Sequence, residues 1–191
     1  MKLYFMDLIY TITHRKILAI TSLLAAPLLP GIAAADEDTN RWVAGVGYTT
    51  FSESEDDIDI SVGAVWGSLG YQIKVSERFR VTPEIRVGKG ISGDTIDLLG
   101  SPVDVELDSF LAASLRGEYD FQNGAYAFVA PTYAKGEFNV NVGSDFAEGN
   151  AWEIGGGFGA GYYFSEDKKV ELAYESFDGT NMISLSLKFD F

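Results

Sequence analysis

Apolar and polar residues alternate with a period of two along almost the whole chain after residue 40. The end of the chain shows this most clearly: one face carries Leu185, Leu187, Phe189 and Phe191, and the other carries Ser184, Ser186, Lys188 and Asp190. Successive side chains of a strand point to opposite faces, so this is the pattern of a sheet with one apolar face. No segment keeps the three-four spacing of an amphipathic helix. We therefore predict an all-β fold.

Eight segments follow this alternation. We predict strands at about residues 41–51, 60–73, 79–90, 103–121, 125–138, 151–164, 168–177 and 181–191. The connections 74–78, 122–124 and 165–167 are short, whereas 52–59, 91–102 and 137–150 are longer and polar; 178–180 is a short exception. Short turns at one rim and long loops at the other are typical of an antiparallel up-and-down transmembrane β-barrel with periplasmic termini.

The start of the chain has the features of a cleaved signal peptide. Arg15 and Lys16 precede an apolar run at 17–29, and Ala33 and Ala35 form a small-residue cleavage site. This run is shorter than the roughly 20 residues that a membrane-spanning helix needs. We predict that residues 1–35 are removed and that residues 36–191 form one barrel domain.

The charge and the reactive residues exclude several classes of function. The formal net charge is −14, with 28 acidic and 14 basic residues, which argues against a nucleic-acid partner. There is no cysteine, and the one histidine, His14, lies in the predicted signal peptide. Histidine, the commonest general base, and cysteine, the thiol nucleophile, are therefore missing from the barrel domain. We predict neither enzymatic activity nor a cofactor.

Residues 155–160 fit the dinucleotide-binding pattern of spaced glycines, but that pattern has meaning only between a strand and a helix. Here the glycines lie within a predicted strand. We interpret them as positions that leave room for large neighbours inside a narrow barrel.

Aromatic residues gather toward the two ends of the predicted strands, as they do at the two interfaces of a membrane. One set lies near the short-turn rim: Trp42, Phe79, Tyr119, Phe121, Tyr162, Phe164, Phe189 and Phe191. A smaller set lies toward the other rim: Tyr48, Phe138, Trp152 and Tyr174. A soluble barrel would show the same alternation with its apolar face inward, so periodicity alone does not decide between the two.

The last five residues, 187–191, alternate up to a terminal Phe191. With the predicted leader, they make the chain resemble the small eight-stranded outer-membrane barrels of the OmpA and OmpX type. The resemblance implies a location in the bacterial outer membrane, contact with outer-membrane lipid and lipopolysaccharide, and a monomeric barrel. It also implies that the outer-membrane insertion machinery recognises Leu187, Phe189 and Phe191. No peptidoglycan-binding domain follows the barrel, so attachment to the cell wall is not implied.

If the apolar face meets lipid, the charged residues of the other face line a lumen that is only wide enough for packed side chains. We expect the interior to hold Glu84, Arg86, Glu106, Arg116, Glu118, Glu153, Glu171 and Glu175. Buried charges need partners. We predict a salt-bridged network in which Arg86 and Arg116 are the counter-ions, formed by Glu84, Arg86, Arg116, Glu118, Glu171 and Glu175. Because carboxylates outnumber these cations, we expect some carboxylates to be solvated or to have raised pKa values.

The first long loop is strongly acidic, with Glu53, Glu55, Asp56, Asp57 and Asp59. Clustered carboxylates are the ligands that Ca²⁺ and Mg²⁺ prefer. The loop is a candidate site for divalent cations, and the alternative is a solvated loop without a ligand.

These observations leave three hypotheses for the function. The first is a non-enzymatic outer-membrane barrel that supports envelope integrity and presents loops for adhesion. The second is a narrow, porin-like channel for cations or small solutes. The third is a soluble periplasmic binding barrel of the lipocalin kind.

Overall fold

The computed structural model describes residues 40–55, 58–98, 101–142 and 145–191. The predicted signal peptide and its cleavage site at Ala33 and Ala35 lie outside these residues. The described chain forms nine strands: β1 (Arg41–Glu55), β2 (Ile58–Lys74), β3 (Phe79–Ser92), β4 (Asp94–Leu98), β5 (Ser101–Asp120), β6 (Ala125–Val142), β7 (Asp145–Ser165), β8 (Lys168–Ser176) and β9 (Thr180–Asp190). Across these ranges there is no helix of the length and apolarity needed to cross a membrane.

All strands are antiparallel to their neighbours, and the sheet closes on itself. Its order is β3-β2-β1-β9-β8-β7-β6-β5-β4, and an additional pairing of β3 with β5 closes the ring. The short strand β4 continues β3 beyond Gly93, because both pair with β5: Lys89 lies opposite Ser109, and Asp94 lies opposite Val105. The barrel wall therefore has eight strands, which confirms the predicted fold class.

The strands extend much further than predicted at one end. β1 and β2 pair up to Glu55 opposite Ile58, and β6 and β7 pair up to Val142 opposite Asp145. Most of the residues predicted as long loops are thus strand residues, since polar side chains do not prevent backbone pairing above the apolar part of the wall. We call this end, where β1 joins β2, β4 joins β5 and β6 joins β7, the long-strand end.

The opposite end has short turns, as predicted, and we call it the short-turn end. The turn before β6 contains Gly124 at φ 81°, in the left-handed region that favours glycine. The chain ends meet here: Trp42 and Phe191 exchange two backbone hydrogen bonds of 2.9 and 2.8 Å. The last and first strands are thereby joined at the point where the barrel closes.

The two halves of the barrel bury opposite kinds of side chain. In the short-turn half the interior is charged, and large apolar residues such as Ile85, Val129 and Leu185 are more than half exposed on the outside. In the long-strand half the interior is apolar and the outside is polar. This apolar cluster consists of Phe51, Val62, Ala64, Trp66, Val103, Val105, Leu107, Phe110, Phe177 and Met182.

A β-bulge in β5 produces this reversal on its strand. The register against β6 shifts between Leu107 and Ser109, so that one extra residue enters β5. Val105 and Leu107, expected on the outer face, are therefore buried, and Glu106, expected in the lumen, is exposed on the outside. The prediction for Glu106 was wrong because it assumed unbroken alternation.

The aromatic residues mostly lie where the pattern placed them. All those predicted for the short-turn rim are exposed, as are Tyr48, Trp152 and Tyr174 toward the other rim. Trp152 stacks on Tyr133 with ring centroids 4.7 Å apart. Phe138 is the exception, because it packs against the apolar cluster inside the barrel.

Candidate functional site

The interior of the short-turn half contains a dense group of charged side chains, which we call the charged core. It comprises Arg80, Glu84, Arg86, Arg116, Glu118, Asp120, Lys169, Glu171, Glu175, Lys188 and Asp190. The structure brings together all six residues of the predicted network, and each is at most 5% exposed. They come from β3, β5 and β8, whose polar faces point inward at the same height.

Arg116 occupies the centre of the charged core. Its guanidinium donates two hydrogen bonds to the Glu171 carboxylate, at 3.0 and 2.7 Å, and its Nε lies 3.3 Å from Oε1 of Glu118. Tyr126 donates a further hydrogen bond to Glu171 at 2.6 Å, and the Phe128 ring centroid lies 4.0 Å from Cζ of Arg116. This fork-shaped pairing holds both charges in a fixed orientation.

A second pair lies nearer the long-strand end. Arg86 donates two hydrogen bonds to Glu175, at 2.5 and 2.7 Å, and Thr132 donates one to the same carboxylate at 2.9 Å. The ring of Trp66, a member of the apolar cluster, lies 5.8 Å from Cζ of Arg86. The charged core and the apolar cluster are therefore in contact at this level.

Three cations of the charged core were missed by the sequence analysis. Lys188 hydrogen-bonds to Glu84, Lys169 pairs with Asp190 at 3.1 Å, and Arg80 pairs with Asp120. The core thus holds five cations and six carboxylates, so carboxylates still outnumber cations, and the Asp120 side chain is partly solvated at 28% exposure, as expected of some of them. Lys188 lies on the polar face of the last strand, so the alternation itself could have identified it.

The glycines of β7 provide the space that these side chains occupy. Gly157, Gly159 and Gly161 face inward, and a Cβ on them would overlap with Glu175, Phe128 and Tyr126 respectively. The interpretation of these glycines as room for large neighbours is confirmed. Since residues 155–160 continue a paired strand, the dinucleotide-binding pattern has no structural basis here.

The apolar cluster covers the charged core on its long-strand side. The rings of Phe51 and Phe110 pack edge to face with centroids 5.4 Å apart, and Trp66 lies below them. A cavity of about 20 Å³ remains between Trp66, Arg86 and Ser184. That volume holds about one water molecule, so side chains fill the interior at this level.

The candidate metal loop is only partly described. Glu53 lies in β1; the side chains of Glu55 and Asp59, and all of Asp56 and Asp57, lie outside the part of the chain for which positions are given. Within that part, no group of three or more Asp, Glu, His or Cys side chains is arranged to hold a metal ion. The predicted loop site remains a prediction.

The residues predicted as an insertion signal lie on the outer face of β9. Leu187, Phe189 and Phe191 are all exposed, next to β1 at the point where the barrel closes. They form an apolar row directed away from the barrel.

Comparison with known proteins adds a family and a fold. The family model of the outer membrane protein beta-barrel domain matches residues 21–191. Neisserial surface protein A superposes with a TM-score of 0.56 at 11% identity, covering 78% of this chain and 97% of that one. Ail, the attachment invasion locus protein of Yersinia pestis, superposes with a TM-score of 0.56 at 9% identity, covering 80% of this chain and 99% of that one. The N-terminal beta-barrel domain of Pseudomonas aeruginosa OprF superposes with a TM-score of 0.50 at 17% identity, covering 77% of this chain and 97% of that one. Such identities show likeness of fold alone. No curated protein matches the sequence.

Proposed function

The chain belongs to the family of outer membrane protein beta-barrel domains and is located in the bacterial outer membrane, and from this premise we propose that it is a closed, non-enzymatic barrel that supports the envelope. The soluble lipocalin-like alternative is excluded by this location. Short turns lie on the periplasmic side of such barrels, so the long-strand end faces outward.

The filled interior is the observation that carries this proposal. A channel needs a continuous aqueous path, but here five cations pair with carboxylates and an apolar cluster lies above them. Ion pairs fixed by forked hydrogen bonds are also poor candidates for acid-base catalysis, because each carboxylate is already engaged. A filled interior supports a structural role rather than transport.

Planar bilayer recordings test this role directly. The purified, refolded protein should give no conductance steps, and heat-modifiable migration on a denaturing gel should show that the barrel has formed. Reproducible cation-selective steps from a fully folded sample would favour the narrow channel instead.

We further propose that the long-strand end contacts other proteins, because the edge of β7 is left open there. Residues 145–155 of β7 pair with β6 alone among the described strands, since β8 ends at Ser176, opposite Gly156. An unpaired edge is a template for an added strand of a partner. Ail, which has the same fold, is by name an attachment and invasion protein.

An extended hairpin tests the contact role. Lengthening the connection between β8 and β9 by paired residues on each side of Gly179 should cover the β7 edge and lower the adherence of expressing bacteria to cultured epithelial cells. A matched insertion at the turn near Gly124, on the periplasmic side, should leave adherence unchanged. Equal adherence of both variants and the wild type would contradict contact through this edge.

Two further properties are proposed from the row on β9. We propose that the insertion machinery recognises Leu187, Phe189 and Phe191, and that the inserted barrel is a monomer. Phe191→Ala should lower the amount of protein in outer-membrane fractions, whereas Phe121→Ala, at the same rim, should not. Equal losses for both variants would indicate a general effect of removing an aromatic side chain from the rim.

A further inference from the structure

The outer wall carries a groove of about 880 Å³ that crosses β3, β2, β1, β9 and β8. Its floor is Gly67, which lies between Val46 of β1 and Val87 of β3 in the register. A Cβ at Gly67 would have only the Gly45 carbonyl oxygen near it, at 3.8 Å, so the missing side chain leaves open space. The groove faces the lipid, because its walls belong to the apolar outer face.

The groove descends across the wall. One row of paired outward positions runs along the groove from Val87 over Gly67, where the missing side chain leaves the floor open, and on through Val46 and Leu187 to Val170. Val87 is eight residues from the short-turn end of β3, whereas Val170 is two residues from that end of β8. With neighbouring strands about 4.8 Å apart, the row is roughly 19 Å long. One end therefore lies high in the membrane and the other lies near the periplasmic rim.

Lys89 stands at the high end of the groove. It is exposed on the outer face of β3 and lies opposite Ser109 of β5. Below that level the outer face of β5 carries Leu111; above it come the exposed carboxylates of Asp108 and Glu106. Lys89 is thus level with the change from apolar to polar side chains on the outer face of β5, where the headgroups of the outer leaflet lie, and one exposed apolar residue, Ile91, follows it on β3.

We propose that this groove binds a phosphorylated lipid of the outer leaflet, with a phosphate at Lys89 and an acyl chain along the floor at Gly67. The Lys89 cation at the high end complements an anionic headgroup, and the apolar groove below it complements the acyl chain of the same lipid. The walls are two residues apart along each strand, about 6.8 Å, which is narrower than the 10–12 Å of a helix. The groove therefore fits a lipid chain and does not fit a transmembrane helix of a partner.

Two substitutions separate the headgroup contact from the chain contact. Lys89→Gln removes the cation, and Gly67→Leu fills the floor with a side chain that has room to fit. The matched controls are Lys135→Gln, which removes another outward-facing cation, and Ala160→Leu, which adds bulk to the exposed outer face of β7. Heat-modifiable migration shows that each refolded full-length variant has formed its barrel.

Native mass spectrometry from detergent, with bisphosphorylated lipid A and its dephosphorylated form as probes, measures retention of the lipid. Lys89→Gln should weaken lipid A binding by about tenfold, the loss of one charge-assisted contact, and leave the dephosphorylated form unaffected. Gly67→Leu should weaken both. The proposal is overturned if Lys89→Gln behaves like Lys135→Gln, if Gly67→Leu behaves like Ala160→Leu, or if the wild type retains both probes equally.

Discussion

In the short-turn half the barrel directs charged side chains inward and apolar ones outward, whereas in the long-strand half it does the reverse. The same chain and the same strands pass through both halves. The period of two is identical in each, and what changes is the solvent outside: lipid around the first, water around the second. A strand pattern therefore defines two faces of a sheet but does not show which of them is buried.

The junction of the halves explains how the interior is closed. Trp66 contacts the charged core through its ring, which lies 5.8 Å from Arg86 and 5.2 Å from Lys188, and belongs to the apolar cluster as well. In the short-turn half, each buried charge is paired with an opposite charge, because the surrounding lipid would not solvate it. The cluster in the upper half excludes the water that would otherwise enter from outside.

The largest expected effect comes from changing the number of residues at the β5 bulge, where the inward and outward faces of the strand exchange. Deleting both Asp108 and Ser109 should turn Val103, Val105 and Leu107 to the outside, because Leu107 would then directly precede the inward-facing Phe110, at a cost of about 1.5–3 kcal/mol for each. The long-strand half should then open while the charged core stays paired. Hydrogen exchange should rise in residues 101–107 and stay slow in residues 110–120. Deleting Asp108 alone removes the bulge and keeps all three residues inward, so this control should remain protected; equal exposure in both variants would contradict the assignment of the bulge.

A comparable loss should follow from unbalancing the charged core. Arg116→Met leaves Glu171 without its forked partner in the lipid-surrounded half, and breaking a buried pair on one side costs about 3–5 kcal/mol. Urea unfolding from lipid vesicles measures the loss. The double variant Arg116→Met with Glu171→Leu should recover most of it, because no lone charge remains. If the single variant unfolds like the wild type, the core does not stabilise the barrel.

A smaller effect should distinguish the two outer walls. Ile85 is the seventh residue of β3 and faces outward at mid-height of the apolar wall. Ile85→Arg should cost about 2–4 kcal/mol, as an arginine at the bilayer midplane does. Glu106→Arg, on the outer wall of the long-strand half, should stay within about 0.5 kcal/mol in the same urea assay. Equal losses would mean that the lipid boundary does not lie between them.

Much of the short-turn half could be predicted from sequence, because the alternation within each single strand shows which of its residues share a face. The alternation identified eight strands and the inward positions of Glu84, Arg116 and Glu171. Lys188 and Lys169 lie on polar faces too, but the prediction took only Arg86 and Arg116 as counter-ions.

The long-strand half could not be predicted in the same way, because its features depend on two strands together. The bulge exists only in the register of β5 against β6, where Leu107 lies opposite Phe138 and Ser109 lies opposite Glu137. The pairing of Asn139 with Glu148 likewise makes strand out of residues whose polarity indicates a loop. The sequence pattern of one strand shows neither the bulge nor the pairing, because both depend on the register against a second strand.

The smallest expected effect belongs to the periplasmic turn, outside both walls. Asp167 accepts a hydrogen bond of 2.9 Å from Ser165, and this bond lowers the pKa of the Asp167 carboxyl below its usual range. The stabilisation is therefore present above the ordinary carboxyl pKa and is lost as the pH falls through the lowered value. A carboxyl ¹³C titration by NMR should show a midpoint below that of an unstructured aspartate, and Ser165→Ala should raise it. Because the side chain is exposed, water should screen the effect, and the urea midpoint of Ser165→Ala should match the wild type at neutral pH.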